Sequence, residues 1–267
     1  MKRLFGAALV VATLPVALLA APIPIAEGPT TPLPARADSM DSVAPVPFGP
    51  GEASTYRVRL GPVSVGEGSM RILGTERVRG HRTYHARFEI AGGIPFARVD
   101  NRFESWIDVA GLFSRRFHQD QKEVRFERKR TFDFFPEERR YVIQGSGERG
   151  TLPTSQPLDE VSFLYYVRTL PLEVGETYTL NRYYQEDGNP VRLQVLRRET
   201  VTVPAGTFQT IVVRPIIRTR GLFAEGGEAE VYFSDDDRRI LVQMRSRVPV
   251  VGSLSLHLTE YRRGSRL

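Results

Sequence analysis

Tyr84-His85-Ala86-Arg87-Phe88-Glu89-Ile90 places an apolar side chain at every second position and a polar or charged one between them. A period of two sends successive side chains to opposite faces, so this run reads as a strand with one dry face and one wet face. The same period runs outward in both directions. Tyr56, Val58 and Leu60 alternate with Arg57 and Arg59; Phe103, Ser105 and Ile107 stand against Glu104, Trp106 and Asp108; Val124 and Phe126 stand against Glu123, Arg125 and Glu127. Later runs centre on Val191, Leu193 and Val195, on Ala229, Val231 and Phe233, on Val242, Met244 and Ser246, and on Leu254, Leu256 and Leu258. Such alternation belongs to antiparallel sheets, whereas parallel sheets covered on both faces read as continuous apolar runs. Turn residues separate the runs: Gly61-Pro62, Arg79-Gly80, Gly92-Gly93, Gly145-Ser146-Gly147, Asp187-Gly188-Asn189-Pro190, Gly226-Gly227 and Asp235-Asp236-Asp237. The pattern predicts about a dozen strands, many of about 8 to 10 residues. The expected fold is mainly β: a large curved antiparallel sheet, open-barrel or sandwich-like.

One segment departs from the period. Leu158 to Leu170 has helical spacing, with Val161, Leu164, Tyr165 and Arg168 on one side and Phe163, Val167 and Leu170 nearby. Asp159 suits the N-cap, Glu160 suits the positive end of the helix dipole, and Pro171 stops the helix. An amphipathic helix near 159–170 in an otherwise β chain is expected to plug or cover the concave face of the sheet. No linker is visible, so residues 51–262 read as a single β-rich domain.

The N-terminus fixes the compartment. Lys2 and Arg3 precede an uncharged apolar stretch from Leu4 to Leu19, interrupted by Pro15, and Ala35-Arg36-Ala37 offers an A-x-A cleavage site before Asp38. Residues 1–37 therefore read as a signal peptide, and 38–50 as a flexible Pro-rich lead-in. The expected location is periplasmic or secreted. The chain has no cysteine, which excludes both a lipid-modified cysteine and a disulfide. The leader holds Lys2, Arg3 and Arg36 against Glu27, so its removal takes the formal net charge from +6 to about +4. Lys122 and Lys129 are then the only lysines; the positive charge is nearly all arginine. Basic and acidic residues interleave, as in Glu123-Val124-Arg125-Phe126-Glu127-Arg128-Lys129-Arg130, where nucleic-acid binding would want a one-signed stripe. The reading is a solvated sheet surface and no nucleic-acid partner, with contact between an arginine-rich outer face and anionic lipid headgroups as the weaker alternative.

No catalytic constellation stands out. His81 and His85 are four residues apart, which along a strand spans about 13 Å, too far to share a metal, and they read as ordinary surface histidines. Gly145-Ser146-Gly147 reads as a hairpin turn rather than a nucleophile elbow. Asp235-Asp236-Asp237 reads as a charged turn, since an EF-hand loop spaces its ligands differently. Neither cofactor nor metal is expected. Many rings gather around the helical segment: Phe163, Tyr165, Tyr166, Tyr183, Tyr184, Phe208 and Phe223. Periodicity does not separate a filled core from an apolar ligand cavity.

Several stretches give the chain a family resemblance. They are Pro47-Phe48-Gly49-Pro50-Gly51-Glu52 before the Tyr56 strand, Gly66, the central segment Leu158 to Leu172 with Gly175, Val203-Pro204-Ala205-Gly206-Thr207-Phe208, Phe233 to Ile240, and Gly252 with Leu254. With these the chain resembles the bacterial family called domain of unknown function 3108, over roughly residues 48–262. Ile240-Leu241-Val242 departs from it where that strand is expected to carry a proline. The resemblance implies an exported β-rich protein and supplies neither a reaction nor catalytic residues. Its architecture is similar, at fold level only, to the open barrels of periplasmic lipoprotein carriers. Gly206 is expected to supply a positive φ before its strand.

The leading expectation is a non-enzymatic cell-envelope protein that binds an apolar or amphipathic ligand on the concave face closed by the helix. Phe163, Tyr166, Tyr184 and Phe208 are the candidate ligand contacts. A structural or adaptor module binding an envelope protein is the alternative, and a glycan- or lipid-acting enzyme working through carboxylates is a third. The partner is thus a lipid or an envelope protein, and the chain is not an integral membrane protein once its leader is removed.

Overall fold

Alternating side chains carry most of the chain into one antiparallel sheet. The computed structural model describes residues 45–94, 97–123, 126–217, 228–248 and 252–267. The signal-peptide reading, most of the lead-in, Val124, Arg125, Phe223 and Gly226-Gly227 lie outside the described residues. Among the described residues there are fourteen strands: β1 (Ala53–Leu60), β2 (Val63–Val78), β3 (His81–Ile94), β4 (Ala97–Asp108), β5 (Ser114–Glu123), β6 (Phe126–Phe135), β7 (Arg140–Ile143), β8 (Arg149–Thr151), β9 (Thr177–Leu180), β10 (Val191–Val203), β11 (Gly206–Ile216), β12 (Glu228–Ser234), β13 (Leu241–Val248) and β14 (Gly252–Arg262). The helix α1 (Glu160–Val167) interrupts them between β8 and β9.

Strands β1 to β8 form one meander and β9 to β14 a second, and β1 pairs antiparallel with β14 to join the two into one sheet. The short β8 and β9 are the two sheet edges. Between them the chain crosses as α1 and its flanking segments. The Pro157 carbonyl accepts from Ser114 N–H at 2.7 Å, while Leu158 exchanges backbone hydrogen bonds with Arg182 and Tyr184. The large curved antiparallel sheet with one helix expected from the alternation is the observed fold, and it stays open. The short strands β7 to β9, of three or four residues, hold too few for a period to register. The run read at 123–127 instead straddles the end of β5 and the start of β6, and Gly92-Gly93, read as a turn, lies inside β3, where both pair across to β4. In β2 a register shift between Ile72 and Gly74 breaks the alternation, burying Ile72 and leaving Leu73 exposed.

The concave face carries a continuous core in which Tyr56, Tyr84, Phe117, Phe134, Tyr165 and Phe233 are each at most 1% exposed. Helix α1 lies in this hollow against β3 and β4. It is not amphipathic, contrary to the spacing argument: Val161, Ser162, Phe163, Leu164, Tyr165 and Val167 are all buried, because sheet and loops enclose it on nearly every side. Asp159 caps it from an extended conformation and shares a capping box with Ser162. The regular helix ends at Val167, and the last turn tightens as Thr169 and Leu170 bond three residues back.

The lead-in reading needs correcting at its C-terminal end. Phe48 is buried, with its ring edge-on to Tyr84 and Tyr165, and Gly49 lies against the C-terminal segment near Ser265, whose N–H donates to Pro50 O. Two of the expected wet-face residues also turn out buried. Glu104 is enclosed by side chains of neighbouring strands, and Asp108 accepts from Ala110 N–H, Gly111 N–H and Arg115 Nε.

Candidate functional site

Of the four candidate ligand contacts, two are closed off. Phe163 is 3% exposed and Tyr184 2% exposed. Tyr184 sits among Phe117, Phe132, Phe134 and Tyr183, with ring centroids 5.0–5.9 Å apart. Tyr166 is partly exposed under the Arg182 guanidinium, and Phe208 lies half-buried at the start of β11, opposite Val201 on β10. The structure does not bring the four together as one lining; around α1 the interior is packed ring against ring.

The concave face opens where strands β2 to β6 outrun the helix. Cross-strand partners share a face, so the pairings trace its lining. Phe103 stands opposite Gln119, which stands opposite Arg130; the next row is Ile90, Asn101, Gln121 and Arg128; the last ends in Glu123 and Phe126. The rings of the floor thus give way to half-exposed Ile90 and Phe103, then to amides and exposed arginines. Leu254 continues the apolar rim on β14. Arg128 stacks over Phe126, 4.8 Å from the ring centroid.

At the foot of this trough is Glu160, the first residue of α1. Tyr183 Oη donates to its Oε1 at 2.9 Å, while Oε2 is buried with no protein partner. Burial, then the neighbouring Asp159 charge, push the Glu160 carboxyl up to about 7, and the Arg128 charge opposes them. Asp159 accepts from Ser105 Oγ at 2.6 Å and from the Val161 and Ser162 N–H groups, which oppose the upward pull of its burial. Asp159 and Ser162 therefore serve the helix end.

Two polar clusters escaped the sequence reading. At the C-terminal end of α1, the Arg168 guanidinium bonds both carboxylate oxygens of Glu52, at 2.6 and 3.0 Å, and donates to Arg238 O. Both side chains are under 5% exposed, and Tyr261 Oη also donates to Glu52. On the convex face His85 is no ordinary surface histidine. It stacks on Trp106 with ring centroids 4.4 Å apart, its Nδ1 lies 2.8 Å from Glu76 and its Nε2 2.6 Å from Glu104. Burial alone would raise the Glu104 carboxyl; His85 and Arg87 outweigh it and hold it at about 2. A residue 116 positions away (Glu52) and partners on adjacent strands leave no local spacing by which either cluster could be found.

The remaining motifs behave as turns. Gly145-Ser146-Gly147 lies in the β7–β8 hairpin. The aspartates of 235–237 join β12 to β13, with Asp236 accepting from Ser234 Oγ and Arg238 and Asp235 paired to Arg198 and Arg239. Gly206 has φ +133°, the positive value expected of it. Among the described residues no cluster of His, Asp and Glu has the geometry to hold a metal ion, and no helix is long and apolar enough to cross a membrane.

Residues 55–259 match the family profile described as a protein of unknown function (DUF3108). No curated protein matches the chain. Two solved structures resemble it at 12% identity: a candidate lipoprotein from Parabacteroides distasonis ATCC 8503, TM-score 0.37, over 82% of this chain and 99% of that one; and a candidate exported protein with a YmcC-like fold from Bacteroides fragilis NCTC 9343, TM-score 0.29, over 83% and 100%.

Proposed function

The chain belongs to the DUF3108 family of proteins of unknown function, and from that premise we propose that it is an exported, non-enzymatic cell-envelope protein that binds an amphipathic ligand on the concave face of its open sheet. The observation that carries this reading is the change of lining beyond α1, from buried rings to half-exposed Ile90, Phe103 and Leu254 and then to the exposed guanidinium groups of Arg128 and Arg130. Apolar surface next to arginine that forms no ion pair among the described residues suits a molecule with a hydrocarbon part and an anionic head. Export is supported by the leader-like first 37 residues. The non-enzymatic reading is supported by the carboxylates near the helix, where Asp159 caps α1 and Glu52 neutralises Arg168.

The test is native mass spectrometry, with lipid extraction, of the full chain expressed in a Gram-negative host and purified without detergent. A stoichiometric amphipathic adduct on a mature protein beginning near Asp38 is expected, and Arg128→Gln with Arg130→Gln should strip it. A clean mass, with no uptake of a fluorescent fatty acid, would defeat the ligand reading. The adaptor reading would then lead, favoured by the closed packing of Phe163 and Tyr184.

A further inference from the structure

The convex face of β13, β14 and β1 brings three arginines without ion pairs side by side. Many outward guanidinium groups of the sheet have carboxylate partners: Arg87 with Glu104, Arg102 with Asp120, Arg116 and Arg79 with Asp133, Arg197 and Arg214 with Glu230, Arg198 with Asp235. Arg57, Arg59 and Arg245 form no ion pair among the described residues. The register places them together: Arg57 beside His257 and Gln243, and Arg59 beside Ser255 and Arg245. Glu67 stands across from Arg57 without closing on it, and Glu230, across from Arg245, is taken by Arg197 and Arg214. Arg59 donates to Pro62 O at 2.8 Å, and the Arg245 guanidinium lies over the Tyr232 ring. The uncompensated charge is felt by His257, whose ring is held below its usual value by burial and then by Arg59, Arg245 and Arg57.

This strip runs to the β1–β2 turn, where Gly61 N–H donates to Ser253 O and Val63 is 57% exposed, beside exposed Pro62. Ile94 and Phe126 end β3 and begin β6 at the same end of the meander, and the rim residue Leu254 is Leu60's partner there. The end that carries unpaired arginines on its convex side is thus also the mouth of the concave trough.

We infer that this end of the sheet docks on an anionic lipid surface, with Arg57, Arg59 and Arg245 meeting headgroup phosphates and Val63 entering the interface. Charge complementarity selects the lipid: guanidinium groups left without carboxylates match phosphate oxygens, and an apolar turn beside them matches the headgroup–acyl boundary. The arginines are on the convex face and Val63 sits at the turn beside the rim, so the test needs no ligand in the trough and stands if the ligand reading fails.

The full-length processed protein would be co-sedimented with vesicles of phosphatidylcholine, with and without phosphatidylglycerol. Binding is expected only to the anionic vesicles and should fall steeply as salt rises from about 0.05 to 0.5 M. Arg57→Gln, Arg59→Gln and Arg245→Gln should each weaken it about fivefold, roughly the worth of one basic residue near such a surface. Val63→Asp should weaken it too, and Arg128→Gln, on the other face, should have a smaller effect. Thermal unfolding of the same variants guards against misfolding, since Arg57 and Arg245 are exposed. The inference is overturned if anionic vesicles are not bound, if neutral vesicles bind equally, if the triple variant still binds, or if millimolar inorganic phosphate displaces the vesicles, which would assign the strip to a free anion.

Discussion

At Glu160, burial and the adjacent Asp159 hold the carboxyl near pH 7 in the folded chain, against an ordinary carboxylate range in the unfolded one. The folded state therefore binds the extra proton between those values, and stability contributed by this group is full below about pH 4.5 and lost as pH rises through 7. Glu160→Gln should gain about 1–3 kcal/mol at pH 8 and almost nothing at pH 4.5, read from urea unfolding at both values. Glu104 has the opposite sign. Held at about 2 by His85 and Arg87, its contribution is present above about pH 4.5 and lost as pH falls through 2, so Glu104→Gln should cost about 2 kcal/mol at pH 7 and little at pH 2. The Glu52–Arg168 pair is the third case at this scale. Arg168→Met leaves a buried carboxylate without its cation and should cost about 3–5 kcal/mol in equilibrium unfolding, whereas Arg168→Met with Glu52→Gln should recover part of the loss.

Helix α1 depends on its first turn more than on its length. Asp159→Ala removes the cap from two backbone N–H groups and leaves Ser105 Oγ without its acceptor, an expected loss of about 2–3 kcal/mol by chemical denaturation; Asp159→Asn, which keeps an oxygen in place, should cost less. The cap was legible from Asp159 and Pro171, and so was the helix. Its burial on nearly all sides was not, because the amphipathic argument assumes a helix on a surface, and here strands on one side and crossing segments on the other enclose it. Among the strands, β2 and β3 meet at Gly66 and Gly92 so closely that a Cβ on Gly66 would stand 2.2 Å from Ala91 O and 2.6 Å from Gly92 Cα. Backbone atoms cannot yield as a flexible side chain can. Gly66→Ala should destabilise by about 1–3 kcal/mol or more, measured by thermal unfolding.

Across the whole molecule the two meanders are joined where the first strand meets the last. β1 and β14 pair along eight residues of β1, and Gly49 and Gly264 bring backbone against backbone beside them. The stretch Pro47 to Glu52 then has a physical account: Phe48 fills the gap between Tyr84 and Tyr165, Gly49 admits the C-terminal segment, and Glu52 neutralises the buried Arg168. Those positions stood in the sequence as unexplained resemblance, since Tyr165, Ser265 and Arg168 lie more than a hundred residues from them and Tyr84 lies two strands away. By itself the sequence determined the class of fold, the single helix with its N-cap, the turns at Gly61-Pro62, Arg79-Gly80, Gly145 to Gly147 and Asp235 to Asp237, and the dry face of strands such as β1, β3 and β10, because a period of two or 3.6 is written in adjacent residues. The tertiary structure alone decided which strands neighbour each other beyond the hairpins, that Phe163 and Tyr184 close into the core instead of lining a cavity, that Glu52 and His85 are buried among specific partners, and that one carboxylate oxygen of Glu160 is buried. It alone also gathered Arg57, Arg59 and Arg245 into one strip with no ion pair among the described residues. Those outcomes depend on register and on contacts between distant strands, and no local pattern of side chains encodes either.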